Sequence, residues 1–377
     1  MERKYEMMTL QDVIYKDGVS EYLKKCEYIA KQATDIYLFG SARGGAKVYS
    51  FLEDIHKIDK IRYVVDNDRM KQGKYFHGIK IISVEELKKI FPQNGNAIII
   101  IASGSANIIK KQLLDMRFLE EYIYPFVFTN LQTDPTPYQY FVTQKNQIEK
   151  SYRVLADDKS RDVFISLLNY KMTLDSSWLC GISDNEHEQY FDDIMQLSVS
   201  ESFVDCGAYI GDTLEEYGER MKRQWKNYYC FEADTDIFVE LKKVISDCRY
   251  ESVELYNIGC WDSETTLYFD KQGSGSSSVT KESMDIRIHA DALDHILEGK
   301  EVSIIKMDIE GAEQKALAGV KKIISRQHPK LAISIYHSLE DFIYLPCIMQ
   351  ELDSKYRIYV RHYRELTDSE TVCYAVI

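Results

Sequence analysis

The residues that could do chemistry gather in the second half of the chain. An apolar run, Ser202-Phe203-Val204, ends at Asp205, and Cys206, Gly207, Ala208, Tyr209, Ile210, Gly211, Asp212 and Thr213 follow. That order reads as strand, glycine-rich turn, helix. Gly207 permits a sharp turn and lets a ligand approach the backbone. A helix starting near Gly211 aims its unpaired N–H groups into the same space. The next apolar run, Tyr228-Tyr229-Cys230-Phe231, ends at a second acid, Glu232. In a doubly wound sheet an acid at that place can hold both hydroxyls of a ribose. A later run, Ile304 to Met307, ends at Asp308, with Glu310 and Glu313 just beyond, and His337 lies past the following strand. Strand ends are where the active groups of open α/β sheets collect.

The elements that must position these groups alternate regularly. From about Ser198 the chain reads as strands at Phe203–Asp205, Tyr228–Glu232, Val253–Ile258, Ile304–Asp308 and Leu331–Tyr336, with helices between them. Two further strands, Tyr356–Val360 and Val372–Ile377, are separated by a short polar turn and should pair antiparallel. Thr265–Phe269 and Ile286–Ile288 read as extra strand pieces around an exposed loop, Gly273 to Ser278. The first 130 residues alternate in the same way. Strands are expected at Ile36–Phe39, Ile61–Val65, Ile79–Ile82 and Ala97–Ile101, after an amphipathic helix within residues 1–34. Ser83 and Glu86 have the spacing of a capping box. The fold class is therefore α/β with two Rossmann-like domains, 1–130 and 198–377, the second a seven-stranded sheet with an antiparallel terminal hairpin. A mostly helical connector, 131–197, opens at the breaker Asp134-Pro135-Thr136-Pro137. Its stretch Asn185 to Phe191 reads as a solvated linker, with a cover over the second domain as the other reading.

The first domain has ligand-shaped features of its own. Gly40, Gly44 and Gly45 form a phosphate-cradle candidate, Arg43 can add charge, and Asp66 sits where a ribose-binding acid would. The spacing departs from G-x-G-x-x-G, so a nucleotide fold retained for packing or dimerisation is an equal reading. Leu38-Phe39-Gly40, Val65-Asp66-Asn67-Asp68 and Gly78-Ile79-Lys80-Ile81 resemble the N-terminal domains of sugar-modifying transferases, which implies a nucleotide-sugar or glycan connection.

Composition narrows the partners. Among 377 residues there are 47 Lys and Arg against 60 Asp and Glu, a net charge of −13, which argues against a nucleic-acid surface. No run approaches the roughly 18 apolar residues of a membrane span. Eight cysteines without a Cys-x-x-Cys pair read as reduced, buried side chains. A cytoplasmic protein is expected, with a homo-oligomer open.

Phe203 to Thr213, Phe231-Glu232-Ala233-Asp234, the Ser-rich loop, Asp291-Ala292-Leu293-Asp294 and Ile305-Lys306-Met307-Asp308-Ile309-Glu310-Gly311-Ala312-Glu313 together resemble the FkbM family of S-adenosylmethionine-dependent methyltransferases. The resemblance covers about 198–377. It implies a class I methyltransferase sheet, S-adenosyl-L-methionine as cofactor, and methylation of a hydroxyl on a sugar, glycan or related small molecule. It implies cofactor contacts by Asp205, Gly207, Ala208, Gly211, Asp212, Thr213, Glu232, Ala233, Cys260, Trp261 and Asp308. In that reading Asp205 orients the turn and the cofactor's ammonium, and Glu232 takes the ribose. Trp261 stacks on adenine or fills the core. His337 or Asp308 is the general base, with Glu310 beside them, and Glu313 supports the next helix. A metal-assisted mechanism, with Asp308, Glu310 and His337 as ligands that could meet, is the weaker variant; no metal is expected, because no His-x3-His or paired-cysteine spacing occurs. Two other readings remain: a nicotinamide-dependent oxidoreductase, and a non-catalytic nucleotide- or glycan-binding protein.

Overall fold

A computed structural model of the chain describes residues 8–92, 95–103, 106–126, 135–269, 286–364 and 367–377. The Ser-rich loop at Gly273 to Ser278, and Asp134 of the predicted break, lie outside them. The chain forms two compact units. One is Tyr15–Tyr140 with Lys171–Ser176, and the other is Met1–Ile14, Phe141–Tyr170 and Ser177–Ile377.

The first unit holds β1 (Asp35–Phe39), β2 (Ile61–Val65), β3 (Tyr75–Phe76), β4 (Ile79–Ile82), β5 (Ala97–Ile101) and β6 (Ile123–Pro125) in the order β3-β4-β2-β1-β5-β6. All pairs are parallel except the β3–β4 edge. Side chains alternate across a strand, so each strand supplies two cores. Ile36, Leu38, Val64, Ile98 and Ile100 pack with Val48 and Leu52 on one face. Tyr37, Phe39, Val65, Ile99 and Ile101 pack with Leu87 and Leu113 on the other. This is why Ala97–Ile101 is apolar throughout: both faces of β5 are covered. The capping box forms as the spacing predicts, Ser83 accepting from Glu86 N and Glu86 from Ser83 N. The strands β3 and β6 carry too few residues for a readable period and were not expected.

The second unit is built on β7 (Ser202–Cys206), β8 (Asn227–Phe231), β9 (Val253–Tyr256), β13 (Ile304–Met307), β14 (Lys330–Ser334), β15 (Arg357–His362) and β16 (Thr371–Val376). Between β9 and β13 a small side sheet forms from β10 (Gly259–Cys260), β11 (Thr265–Phe269) and β12 (Ile286–Asp291). The main sheet runs β15-β16-β14-β13-β7-β8-β9. Its first five strands in chain order are parallel, and β16 inserts antiparallel between β14 and β15. The expected seven-stranded sheet with its antiparallel hairpin is present. Its topology reverses between β7 and β13, and Asp205 and Lys306 stand in register across that pair.

The helices Pro137–Thr143, Lys145–Val154 and Asp158–Thr173 begin the stretch read as a connector. Residues 141–170 belong to the second unit. There Phe164 stacks on Phe342 with ring centroids 4.8 Å apart, and Asp157 pairs with the buried Arg361 at 2.7 Å. Among the described residues no helix is long and apolar enough to cross a membrane.

Candidate active site

The turn after β7 is held from below. Asp205 is fully buried and accepts from the Tyr228 hydroxyl at 2.9 Å. Lys306 Nζ lies 2.9 Å from the other Asp205 oxygen and donates to the Gly207 carbonyl at 2.8 Å. Burial pushes the Asp205 carboxyl above its ordinary value, against the pull of Lys306 and Tyr228. Burial also opposes the charge on Lys306, but Asp205 and Asp308 outweigh it and hold the ammonium charged. At this depth Asp205 is tied to the turn through Lys306 and Tyr228. Asp205 orients the turn.

Gly207 has φ +79°, and a Cβ there would meet the Asp308 carbonyl oxygen at 2.0 Å. Only glycine fits, because the turn after β7 packs directly on the turn after β13. Gly211 has φ +91° at the N-cap of the helix Asp212–Arg220. Ala208 and Thr213 are buried, while Asp212 is exposed with Oδ1 on Thr213 N. The first-turn N–H groups of that helix thus open beside the glycine turn.

Glu232 stands at the end of β8, next to this turn. It accepts from Tyr209 N at 2.9 Å on one oxygen and from Asp234 N at 2.8 Å on the other. Each oxygen keeps a lone pair, so the carboxylate is aimed and still able to bind a diol. Burial raises its pKa against those two hydrogen bonds. Ala233 is half-buried and Cys260 is buried on β10. Trp261 is half-buried rather than a core residue, and the Lys315 ammonium stands 5.8 Å from its ring centroid.

Across the turn lies a second cluster, at the ends of β13 and β14. Asp308 accepts from Tyr190 at 2.8 Å and from Tyr336 at 3.1 Å and 3.2 Å, and His337 Nε2 lies 3.2 Å away. His337 Nδ1 lies 3.0 Å from Glu313, and Nε2 is 3.8 Å from Glu310. Burial alone would lower the His337 pKa, but Asp308 and Glu313 reverse this and push it up to about 11. The reciprocal effect, with Lys306 and Tyr190, holds Asp308 below the usual carboxylate range in spite of burial. At neutral pH His337 already carries its second proton in this arrangement, so it is poorly suited to the role of general base. Glu310 adopts φ +56°, in the left-handed region that residues other than glycine seldom occupy, and its side chain is the most open of the cluster at 44%. Glu313 begins the helix Glu313–Ala318, as expected, but also accepts from Ile309 N and faces His337.

Three contributors were not identified from sequence. Lys306 is a charged residue inside an apolar strand, next to a strand ending in an acid, and that signal was readable. Tyr336 directly precedes His337. Tyr190 comes from the stretch read as a solvated linker, and here the structure corrects the reading. Tyr190 is buried at φ +66°, its N–H donates to the Tyr374 hydroxyl, and the Arg220 guanidinium lies over Phe191. The aromatic pair pulls the stretch into the core, which outweighs the polar residues before it.

In the first unit, Asp66 is engaged within the protein. It accepts from Ser41 N at 3.1 Å and from the Ser41 hydroxyl, with Lys71 at 3.6 Å. Cβ atoms at Gly40 and Gly44 would meet the Ala102 carbonyl oxygen at 2.7 Å and 2.4 Å. Backbone packing against the end of β5 accounts for both glycines without a ligand. Arg43 is exposed at the start of the helix Arg43–Asp54.

A seven-stranded sheet in this order, with an antiparallel terminal hairpin and a glycine turn after its central strand, matches a methyltransferase fold. Residues 205–363 match the family model described as the methyltransferase FkbM domain. The crystal structure of methyltransferase FkbM from Methylobacillus flagellatus KT is similar over 98% of this chain and 96% of that one, with TM-score 0.68 and 21% identity. An rRNA methylase from Streptococcus thermophilus is similar over 48% of this chain and 87% of that one (TM-score 0.32, 16% identity). A putative methyltransferase from Streptococcus mutans in complex with SAH is similar over 52% and 99% (TM-score 0.35, 12% identity). No curated protein matches the chain.

Proposed function

We propose that the second unit transfers a methyl group from S-adenosyl-L-methionine to a hydroxyl oxygen of a sugar, glycan or related small molecule. The observation that carries this reading is the carboxyl edge of β7, β8 and β13. There Gly207, Glu232 and Asp308 stand side by side, and the Gly207 turn leaves no room for a side chain. Gly207 and Gly211 would cradle the methionine portion, and Glu232, aimed by two backbone N–H groups, would take the ribose hydroxyls. The cofactor supplies an activated methyl on a cationic sulfur. Acids around the turn suit that positive charge.

The residues' own work is positioning, since in-line transfer needs the acceptor oxygen held against the methyl carbon. Asp308, fixed by two tyrosine hydroxyls and His337, would accept a hydrogen bond from the acceptor hydroxyl and set its direction. Glu310, more open and adjacent, would receive the proton. His337 would hold both loops as an imidazolium. In the first unit, Gly40, Arg43, Gly44 and Asp66 stay the candidate set for a nucleotide.

Calorimetric titration with S-adenosylhomocysteine, NADH and a nucleotide sugar as separate ligands tests the reading. Saturable micromolar binding of S-adenosylhomocysteine, weakened in Glu232→Ala, is expected. Binding of NADH with none of S-adenosylhomocysteine would move the protein to the oxidoreductases.

A further inference from the structure

The groups at the ends of β13 and β14 form more than a catalytic pair. One ligand atom each from Asp308, Glu313 and His337 lie within 4.8 Å of one another. Glu313 is fully buried, and its Oε2 has no hydrogen-bond partner among the described residues. His337 Nδ1 is likewise buried and makes no aligned hydrogen bond, although Glu313 stands 3.0 Å away. An unpartnered carboxylate oxygen at such depth is costly unless something else satisfies it. A proton shared along the cluster leaves that oxygen unserved.

We propose that Asp308, Glu313 and His337 hold one divalent metal ion, with Glu310 at its open side. Two carboxylates and an imidazole are a donor set for borderline ions such as Mn(II) or Zn(II) rather than for soft ones. Ligands at about 2.1 Å from one ion lie about 3.0–4.2 Å apart. The His337–Asp308 distance of 3.2 Å and the His337–Glu310 distance of 3.8 Å fall in that range. The Tyr190 and Tyr336 hydroxyls on Asp308 supply the outer layer that steadies a ligating carboxylate. Asp308, Glu310 and His337 were readable from sequence as ligands that could meet, whereas Glu313 was read only as support for the next helix. The consequence for chemistry rests on the O-methyl transfer reading. An ion here would lower the acceptor hydroxyl's pKa directly, and its binding would displace the proton from the ligating nitrogen of His337.

The test uses the full chain, stripped with EDTA and titrated with MnCl2 by calorimetry and by the loss of free Mn(II) paramagnetic signal. One saturable equivalent is expected. Outer-layer losses at metal sites cost about 10–100-fold in affinity, so Asp308→Asn and His337→Gln, which remove ligands, should lose more than about 100-fold. Circular dichroism checks that each variant is folded. Absence of saturable Mn(II) binding by the wild-type chain overturns the proposal, as does wild-type affinity in either folded variant. S-adenosylhomocysteine titrated into the same samples separates the two ideas. Cofactor-product binding without Mn(II) keeps the methyltransferase and removes the ion, while Mn(II) binding without it does the reverse.

Discussion

Lys306 shows how one side chain can join two ends of a site. It springs from β13, crosses to β7, and touches both the carboxylate and the carbonyl that shape the glycine turn. Both partners are almost fully buried, so removing one strands a charge, at a cost of about 3–5 kcal/mol. Lys306→Met should therefore lower urea-unfolding stability by that amount, and adding Asp205→Asn should recover much of it. If the single and double variants unfold alike, the pair is not ionised. Glu232→Ala removes a carboxylate without touching that tie. Loss of two charge-assisted hydrogen bonds, each worth about 1.5–3 kcal/mol, predicts at least a tenfold loss of S-adenosylhomocysteine affinity. The loop-tying bonds to Tyr209 N and Asp234 N go with it, so Glu232→Gln, which keeps one acceptor, should fall between the two. At this scale the sequence was legible where a residue's neighbours along the chain define its place. Gly207, Glu232 and Asp308 each end or follow an apolar run. It was not legible for Tyr190, whose partner is 118 positions away.

Elements built from strong periods were legible too. The strands β1, β2, β4, β5 and the seven of the main sheet follow from apolar runs bounded by polar turns, with ends displaced by one or two residues. The short pieces β3, β6 and β10 rest on tertiary pairing alone. The stretch from Asn185 to Phe191 is the instructive case, since its polar half suggests solvent and its aromatic half decides. Gln189 donates to Glu370, Tyr190 to Asp308, and Arg220 anchors the polar half through Glu188. Tyr190→Phe deletes the hydroxyl on Asp308 and little else. It should cost about 0.5–1.5 kcal/mol of stability, the net value of one such hydrogen bond, leave S-adenosylhomocysteine binding unchanged, and slow methyl transfer once an acceptor is known. An equal loss of cofactor-product affinity would show that this stretch shapes the cofactor turn instead. Gly207→Ala is the complementary change: a methyl driven against the Asp308 carbonyl should abolish cofactor-product binding while the rest of the sheet persists by circular dichroism.

At the scale of the molecule, the main sheet is pinned at the edge opposite its site. Glu201, before β7, binds the Ser303 hydroxyl ahead of β13 and Lys330 at 2.9 Å on β14. Burial pushes its carboxyl up, but Ser303 and Lys330 together leave its pKa below the ordinary value. A carboxylate with a lowered folded pKa stabilises above its unfolded pKa, about 4.3, and that contribution disappears as pH falls through the folded value. Glu201→Gln should therefore cost about 1–3 kcal/mol at pH 7, with the gap to wild type closing below about pH 4. A gap that stays constant with pH would assign the loss to packing. Domain organisation was the least legible level. Breakers and composition mark where the chain turns, not which core a helix joins, so 131–197 read as a connector although Phe164 and Asp157 are fixed within the second unit. The chain passes between its units after residues 14, 140, 170 and 176. A polypeptide begun at 205 would keep the whole matched stretch yet lose the tyrosine on Asp308 and the partners of Phe342 and Arg361. The stretch recognisable as a module is thus shorter than the stretch able to fold as one. A gene fusion joined at 205 would transmit the signature without the enzyme.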